Sequence, residues 1–504
     1  MESSGAHSLK PHEFSGGVYL CGPTATGEDE FVRVSFRTGD RFVIPLASHV
    51  GRASIPCVTL GQRVERFEPI ALPDGPVSVA QHAPCSANVV EISATAHGGE
   101  SPRIVLESDG EQDAYTLPTA FDVEDVLNNT DAQQQAEKRI AAAGIIGMGG
   151  AGFPAHLKLR EGINAEVSDL IINGVECEPL ARGDRYLLAH ESADIIAGMR
   201  ILQALLQPRR TVLAIGPEPD RQPLEKALGK TGIELLQTSA KYPSGSEKQL
   251  IQILRNEELP LNTLPIHLGV VCFNLATVQA MYRAATKGEP CVSRKLTLNG
   301  RRSVVVEAPV GMSVGMLLNK LGERVTKDTI ITTAGMMMGR EVSSESPITK
   351  LTHEISLRER SLQTQKESPC IRCGECISVC PVRLQPQNLY ELSRLGDLDN
   401  LQEFGLFDCI ECGCCTHVCP SQISLVEYFV ASKREVNQLG EVAGQREWRR
   451  ERYARHLARQ SNATPAERHA VLAEIPGGES GDLDLEIEKL KSRLAGRKGR
   501  ARDD

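Results

Sequence analysis

Two cysteine strings near the end of the chain constrain its fold more than any other feature. "CIRCGECISVCP" (Cys370–Pro381) and "CIECGCCTHVCP" (Cys409–Pro420) both read C-x2-C-x2-C-x3-C-P. Three thiolates at this spacing, in one tight loop, hold three corners of a cubane iron–sulfur cluster. In two-cluster ferredoxins the fourth cysteine of each string ligates the other cluster. That rule assigns Cys370, Cys373, Cys376 and Cys419 to one 4Fe–4S cluster, and Cys409, Cys412, Cys415 and Cys380 to a second. Zinc competes for such spacings, but it takes four ligands in a tetrahedron, and two complete four-cysteine strings suit two clusters better. Cys414 is left over. Gly374 and Gly413 let the loops close and free backbone N–H groups for the sulfurs, while Pro381 and Pro420 turn the chain away.

Nine of the 15 cysteines lie between Cys370 and Cys419, a clustering that points to ligation in a reducing compartment rather than to disulfides. Cys21, Cys57, Cys85, Cys177, Cys272 and Cys291 are scattered and read as small apolar packing residues. A chain of 504 residues exceeds one ordinary core, and a 4% aromatic content leaves its cores to Val, Ile, Leu and Ala. A net charge of -9 supplies no field to collect phosphates, so no nucleic-acid partner is expected. There is no apolar run of about 18 residues, and "MESSGAHSLKPHEF" lacks the regions of a signal peptide, so a soluble cytosolic chain is expected.

The pattern along the chain is that of a multidomain protein with α/β and α+β parts. After an N-terminal segment (1–34), residues 35–125 alternate short Val/Ile/Leu strands with Gly and Pro, resembling the barrel-sandwich fold of lipoyl and biotinyl carriers. Ser86, Ala87 and Asn88 stand where a carrier has its modified lysine, which removes a swinging-arm role. Residues 126–288 alternate helix and strand ("DLIING", "RTVLAIG"), predicting a Rossmann-like parallel sheet with helices on both faces. Residues 289–355 read as a β-grasp-like module whose first two strands meet at an "NG" hairpin, with the run Met336–Met338 filling core or interface. A dicluster ferredoxin-like domain (356–430) and a charged helical tail (431–504) complete the chain. The tail reads as a solvated helix or as a docking segment.

"GMGGAGFPAHLKL" (Gly147–Leu159) raises the question of an electron source. Side-chain-free N–H groups ahead of a helix N-terminus suit a phosphate or a flavin ring, though a flexible turn has the same composition. Three further strand-end motifs bring polar groups of the right kind: "NGVECEP" (Asn173–Pro179), "YPSGSEKQL" (Tyr242–Leu250) and "CFNLAT" (Cys272–Thr277).

These four motifs in this order, followed by the β-grasp-like module and two ferredoxin strings, resemble the RnfC family, peripheral subunits of Rnf electron-transport complexes. The same core is similar to the NADH- and FMN-binding flavoprotein subunit of respiratory complex I. The resemblance implies two 4Fe–4S clusters, FMN, and NADH as electron donor. It places Gly147, Gly149 and Gly150 against the FMN, Lys158 at its polar edge, and Asn173, Glu176, Asn274 and Thr277 beside it. It also places Phe153 on the dinucleotide, with Glu178 and Glu247 near its nicotinamide and ribose ends and Glu178 as the candidate catalytic residue. The complex I pattern has Asp where this chain has Val175, an acidic pair at Ser246 and Glu247, and a polar residue at Phe273, departures that bear on cofactor affinity and donor preference.

The implied protein sits peripherally on the cytoplasmic face of a bacterial inner membrane, with the other subunits of the complex, a ferredoxin-type subunit among them, as partners. The rival readings are a soluble RnfC-like reductase of the cobalamin-reductase type and a ferredoxin-like relay without dinucleotide binding. The barrel-like unit ahead of the glycine loop favours the Rnf type.

Overall fold

The computed structural model describes residues 14–20, 30–93, 101–111, 113–150, 152–217, 222–260, 263–360 and 367–440. Cys21 and most of the expected tail lie outside the described residues. The chain divides into two compact units, Met1–Thr364 and Gln365–Asp504.

At the centre of the first unit is a parallel sheet of four strands: β1 (Asp169–Gly174), β2 (Arg210–Ile215), β3 (Ile233–Gln237) and β4 (Val270–Asn274), in the order β3-β2-β1-β4. Both faces are covered, which is why these strands read as continuous apolar runs. Leu170, Ile172, Leu213, Ile215, Val271 and Phe273 point into one core. Ile171, Val212, Ala214, Val270 and Cys272 point into another, with Leu250, Ile251 and Phe14. Helices α1 (Thr130–Ala142), α2 (Ala155–Ile163), α3 (Gly183–His190), α4 (Ser192–Leu206), α5 (Gln222–Leu228), α6 (Glu247–Arg255) and α7 (Leu275–Lys287) surround the sheet. Because β2 and β3 follow β1 on one side and β4 returns on the other, the strand order reverses between β1 and β4. The crevice beyond the carboxyl ends of two such strands is the usual ligand position in open α/β sheets.

A second, six-stranded mixed sheet orders the strands Arg340–Glu341, Thr329–Thr333, Glu354–Glu359, Ser293–Asn299, Ser303–Pro309 and Phe31–Arg33. It recruits Phe31–Arg33 from the N-terminal segment, and its Glu354–Glu359 strand ends past residue 355. The hairpin differs from a two-residue "NG" turn: Asn299 is still paired, with Ser303, and Gly300–Arg302 form the loop. The Asn299 amide is engaged by Leu180, Glu354 and Ser356, which holds it in the sheet.

The preceding β unit has a four-stranded antiparallel sheet (Arg41–Pro45, Arg103–Ser108, Ala87–Ser93, Arg63–Val64) and a three-stranded one (Ile55–Pro56, Pro69–Leu72, Gln81–His82). It shares one core with the six-stranded module: Phe42, Ile44, Ile104 and Leu106 belong to the same buried cluster as Leu296, Val306, Met312 and Leu317. Sequence reading makes them separate units because it shows each element's apolar face without showing what covers it.

Two packing expectations are corrected. Met336 and Met338 are exposed, at 51% and 44%, so this run does not fill a core. Cys57 is exposed, with its Sγ near the Pro69 carbonyl at 3.4 Å, whereas Cys85, Cys272 and Cys291 are buried.

In the second unit the helices Glu375–Ser378, Pro386–Leu395, Leu398–Glu403 and Cys414–His417 precede a stretch that is helical over 425–440. Leu389, Tyr390, Leu401, Leu406 and Phe429 form its core.

Candidate functional site

The glycine loop closes on itself before α2. The Gly147 N–H donates to the Phe153 carbonyl at 2.8 Å, the Gly152 N–H to the Gly147 carbonyl at 3.1 Å, and Ile146 bridges Pro154. From beneath, the fully buried Thr277 accepts the Met148 N–H at 3.0 Å. Thr277 therefore fixes the loop from inside the protein.

Asn173 and Asn274 are register partners at the carboxyl ends of β1 and β4, at the point where strand order reverses. A Cβ on Gly149 would stand 3.3 Å from the Asn274 side chain, so the loop folds over this crevice. Gly150 has φ +120° and nothing within 4 Å of its absent side chain. Bare backbone at an open crevice is the cradle a flavin or phosphate needs, and these residues fit FMN on that ground.

Both asparagines also brace the crevice. Asn274 caps α7 by accepting the Ala276 N–H at 3.0 Å and donates to Asp184 at 2.8 Å. Asn173 accepts the Val175 N–H at 3.1 Å and donates to the Gly245 carbonyl at 2.7 Å, tying "NGVECEP" to "YPSGSEKQL". The approach is close enough that a Cβ on Gly245 would meet the Val175 oxygen at 2.5 Å. Gly245→Ala should therefore part the two loops and cost about 1–3 kcal/mol, read as a lower urea midpoint with weakened FMN retention.

Lys158 and Glu247, expected at different ligands, form one ion pair at 2.7 Å with side chains 27% and 37% exposed. Burial works against the Lys158 charge, but Glu247 beside it, helped by Cys272 and Glu161, holds its ammonium above the ordinary lysine range. Glu176 accepts the Asp184 and Arg185 N–H groups, each at 3.1 Å. Burial, then the Asp184 carboxyl, pushes Glu176 up; burial also pushes Asp184 up, opposed by Arg294 and Asn274. The pair retains a proton that two surface carboxyls would lose.

Glu178 is buried against the six-stranded module. Its carboxylate accepts N–H groups from Met336 at 3.0 Å and Met337 at 3.2 Å. Met336–Met338 thus act through their backbone, which explains their exposed side chains. Burial pushes the Glu178 carboxyl up to about 7; Glu354 adds to the rise, and the Met336, Met337 and Met338 N–H groups oppose it. This value lies above the 4.5 of an ordinary glutamate. The folded chain therefore binds more protons between those two values, and stability falls as pH rises through the window and levels off above it. Glu178→Gln keeps a carbonyl for the two donors and removes the fall. Chemical denaturation should show the variant gaining about 2 kcal/mol on wild type between about pH 5 and about pH 8.

In the second unit, Cys370, Cys373, Cys376 and Cys419 line one pocket with Gly374 and Gln387. Burial pushes the Cys415 thiol up, and Cys409, Cys412 and Cys380 add to the rise, so these four form a second electrostatic group. The two strings are offset by 39 residues (409 − 370, and 419 − 380) and share their backbone. Arg372 and Glu411 have φ 55° and 57°, Arg383 and Gln422 have 54° and 56°. Gly374 and Gly413 cap the short helices in the left-handed region. The Cys370 and Cys409 sulfurs each accept the N–H two residues on, at 3.4 Å. Among the described residues no three His, Cys, Asp or Glu side chains converge on a single ion. Thiols spread around a pocket, with N–H groups aimed at sulfur, fit a cubane cluster instead. Cys414 is fully buried, and its thiol donates a hydrogen bond to the Cys412 sulfur, which pulls Cys412 down.

Residues 12–111 match the model of the RnfC barrel sandwich hybrid domain, 140–283 that of the Nuo51 FMN-binding domain, and 367–423 that of the 4Fe-4S dicluster domain. The chain is 36% identical over 463 residues to the C subunit of the ion-translocating oxidoreductase complex of Pseudomonas aeruginosa, a match covering 89% of this chain and 59% of the relative. It is 35% identical over 476 residues to the same-named protein of Serratia proteamaculans, covering 90% and 66%. The chain belongs to the RnfC family. It spans only about three fifths to two thirds of these relatives' length. Among solved structures, an NAD+-reducing [NiFe]-hydrogenase in the H2-reduced state matches with TM-score 0.42 at 15% identity, covering 64% of this chain and 66% of that one.

In this RnfC-family chain all eleven residues read for FMN and NADH fall inside the FMN-binding-domain match, and all eight cluster cysteines inside the dicluster match. The structure gathers Gly149, Asn173, Asn274 and Thr277 at the strand switch, and pairs Lys158 with Glu247. Glu178 faces the six-stranded module. Sequence reading missed Asp184 and Arg294, which surround the crevice from α3 and from the six-stranded module. Both look like ordinary surface charges in the sequence, and only their burial marks them.

Proposed function

We propose that this chain is the electron-input subunit of a membrane-bound electron-transport complex, accepting electrons from NADH and relaying them through two 4Fe–4S clusters to partner subunits that couple the flow to ion transport. The observation that carries this reading is the meeting of Gly149, Asn173 and Asn274 at the strand switch, in a chain that also holds two four-thiol groups. Bound FMN would convert the electron pair of a hydride into single electrons, and the clusters would carry them one at a time.

The chain's residues bind and orient. Gly147, Gly149 and Gly150 offer the backbone cradle, and Lys158, charge-held by Glu247, supplies a cation at its edge. Phe153 caps the loop for the dinucleotide. The Glu176–Asp184 pair, tied to Asn274 through Asp184, keeps a proton, and Glu178, gripped by the Met336 and Met337 backbone, would present a carboxyl poised near neutral pH to the nicotinamide end. The six-stranded module fits the β-grasp-like reading and holds Glu178 in place.

The partners are the other subunits of the complex, a ferredoxin-type subunit included, with this chain peripheral on the cytoplasmic face of the inner membrane. No helix among the described residues is long and apolar enough to cross a membrane. Equilibrium dialysis tests the cradle: Lys158→Met should weaken FMN about tenfold, roughly the 1.4 kcal/mol of one partly exposed charge contact. Unchanged affinity removes Lys158 from the site.

A further inference from the structure

A cavity of about 570 Å³ lies in the first unit where the β unit, the parallel-sheet domain and the six-stranded module meet. None of the residues read for FMN or NADH lines it, and only Met148 comes from the glycine loop. Five of its lining residues are basic and two are acidic. Their partners divide them sharply. Arg33 pairs with Glu307 at 2.9 Å, and Arg283 reaches Glu289 only at 3.7 Å. Lys295, 9% exposed, pairs at 3.0 Å with Glu191, which also accepts from Gln279.

Arg294 is different. It is 5% exposed and makes no close ion pair among the described residues, although the buried Asp184 and Glu176 carboxyls lie near enough to act on its charge. Its Nε and Nη2 donate to the Thr352 and Met148 carbonyls, each at 3.3 Å, and its Nη1 meets only the Met148 sulfur at 3.5 Å. A guanidinium has five donors in a planar fork, so a buried one satisfied by two carbonyls and a thioether keeps donors for an anion. Arg66, exposed on the same cavity, lies over the Phe67 ring at 4.3 Å and likewise has no carboxylate partner among the described residues.

We propose that this cavity binds a small organic phosphate, drawn in by Arg66 and held by Arg294, with its apolar body against Phe36, Phe67 and Leu187. The volume is that of a nucleotide-sized pocket, and guanidinium groups are the preferred phosphate partners. Because Arg294 also holds the Met148 carbonyl, such a ligand shares a residue with the glycine loop, and occupancy of one site alters the other.

The test uses the full chain, with saturating NAD+ present so that the dinucleotide groove is filled, and with ADP and inorganic phosphate as probes. The expected result is a saturable rise of the thermal midpoint with ADP, at concentrations at least tenfold below those needed with phosphate. Arg294→Met should abolish the response. Arg66→Ser, at an exposed position, should keep the unliganded midpoint and FMN retention while weakening ADP at least tenfold, so the question remains decidable if the buried variant fails to fold. ADP and phosphate acting equally, an Arg66→Ser chain that responds like wild type, or no saturable response would each overturn the proposal.

Discussion

Replacing Cys380 with alanine should strip the proposed cluster of the second cysteine string and leave that of the first, although Cys380 belongs to the first string. The thiols that crowd Cys415 are Cys409, Cys412 and Cys380, whereas Cys419 shares a pocket with Cys370, Cys373 and Cys376. Each string therefore lends its last cysteine to the other's group, and the 39-residue duplication of the backbone makes the exchange symmetrical. Among the described residues the cysteine beside that group that is not part of it is Cys414, which is fully buried against Cys412. Iron and acid-labile sulfide in anaerobically reconstituted protein should fall by about half, from about eight to about four per chain. Cys419→Ala should give the same loss of iron with the complementary paramagnetic signal missing. If Cys380→Ala removes the signal that Cys370→Ala also removes, each string closes on itself and the crossed arrangement is wrong.

Gly150→Val should lower FMN retention by more than tenfold while the chain stays folded. Two effects combine at this residue. Its φ of +120° is a conformation that branched residues rarely adopt, which costs about 1–3 kcal/mol. The space beside it is open, so an added Cβ meets nothing within 4 Å and the bulk of the valine goes into the space a bound cofactor would take. Gly61→Val is the control. Gly61 also has positive φ, at +79°, and open space, but lies in the β unit away from the loop, so it carries backbone strain without blocking the cradle. Equal loss of flavin in both variants would assign the effect to strain; loss in Gly150→Val alone assigns it to the cradle. Urea denaturation monitors the fold in each.

Much of this arrangement is legible in the sequence because its signals are local. The cysteine spacing, the apolar runs "DLIING" and "RTVLAIG", and the glycines of the loop each act over a few residues, so periodicity and spacing reveal them. What is not legible depends on contacts across the chain. Asn173 and Asn274 become neighbours only through the strand order, and Lys158 meets Glu247 only once α2 and α6 are placed. Glu178 is gripped by backbone N–H groups of Met336 and Met337, donors that every residue possesses and that no residue type advertises. The methionine run therefore reads as a packing feature, whereas its working part is the main chain. The same holds for Lys350, which is buried and donates to the Gly144 carbonyl at 2.7 Å and to Gln81 at 3.0 Å. A lysine reads as surface in any sequence, yet this one anchors the start of the glycine loop.

In the proposed function, one chain joins a dinucleotide-fed flavin cradle to two four-thiol clusters. The measurement that tests it most directly is an anaerobic titration with NADH of the full chain reconstituted with FMN, iron and sulfide, followed by visible absorbance and electron paramagnetic resonance. NADH should bleach both the flavin and cluster bands, cluster signals should appear, and Gly150→Val should lose this response while dithionite still reduces its clusters. Clusters that dithionite reduces and NADH leaves untouched, in a wild-type chain shown to hold FMN, would contradict it.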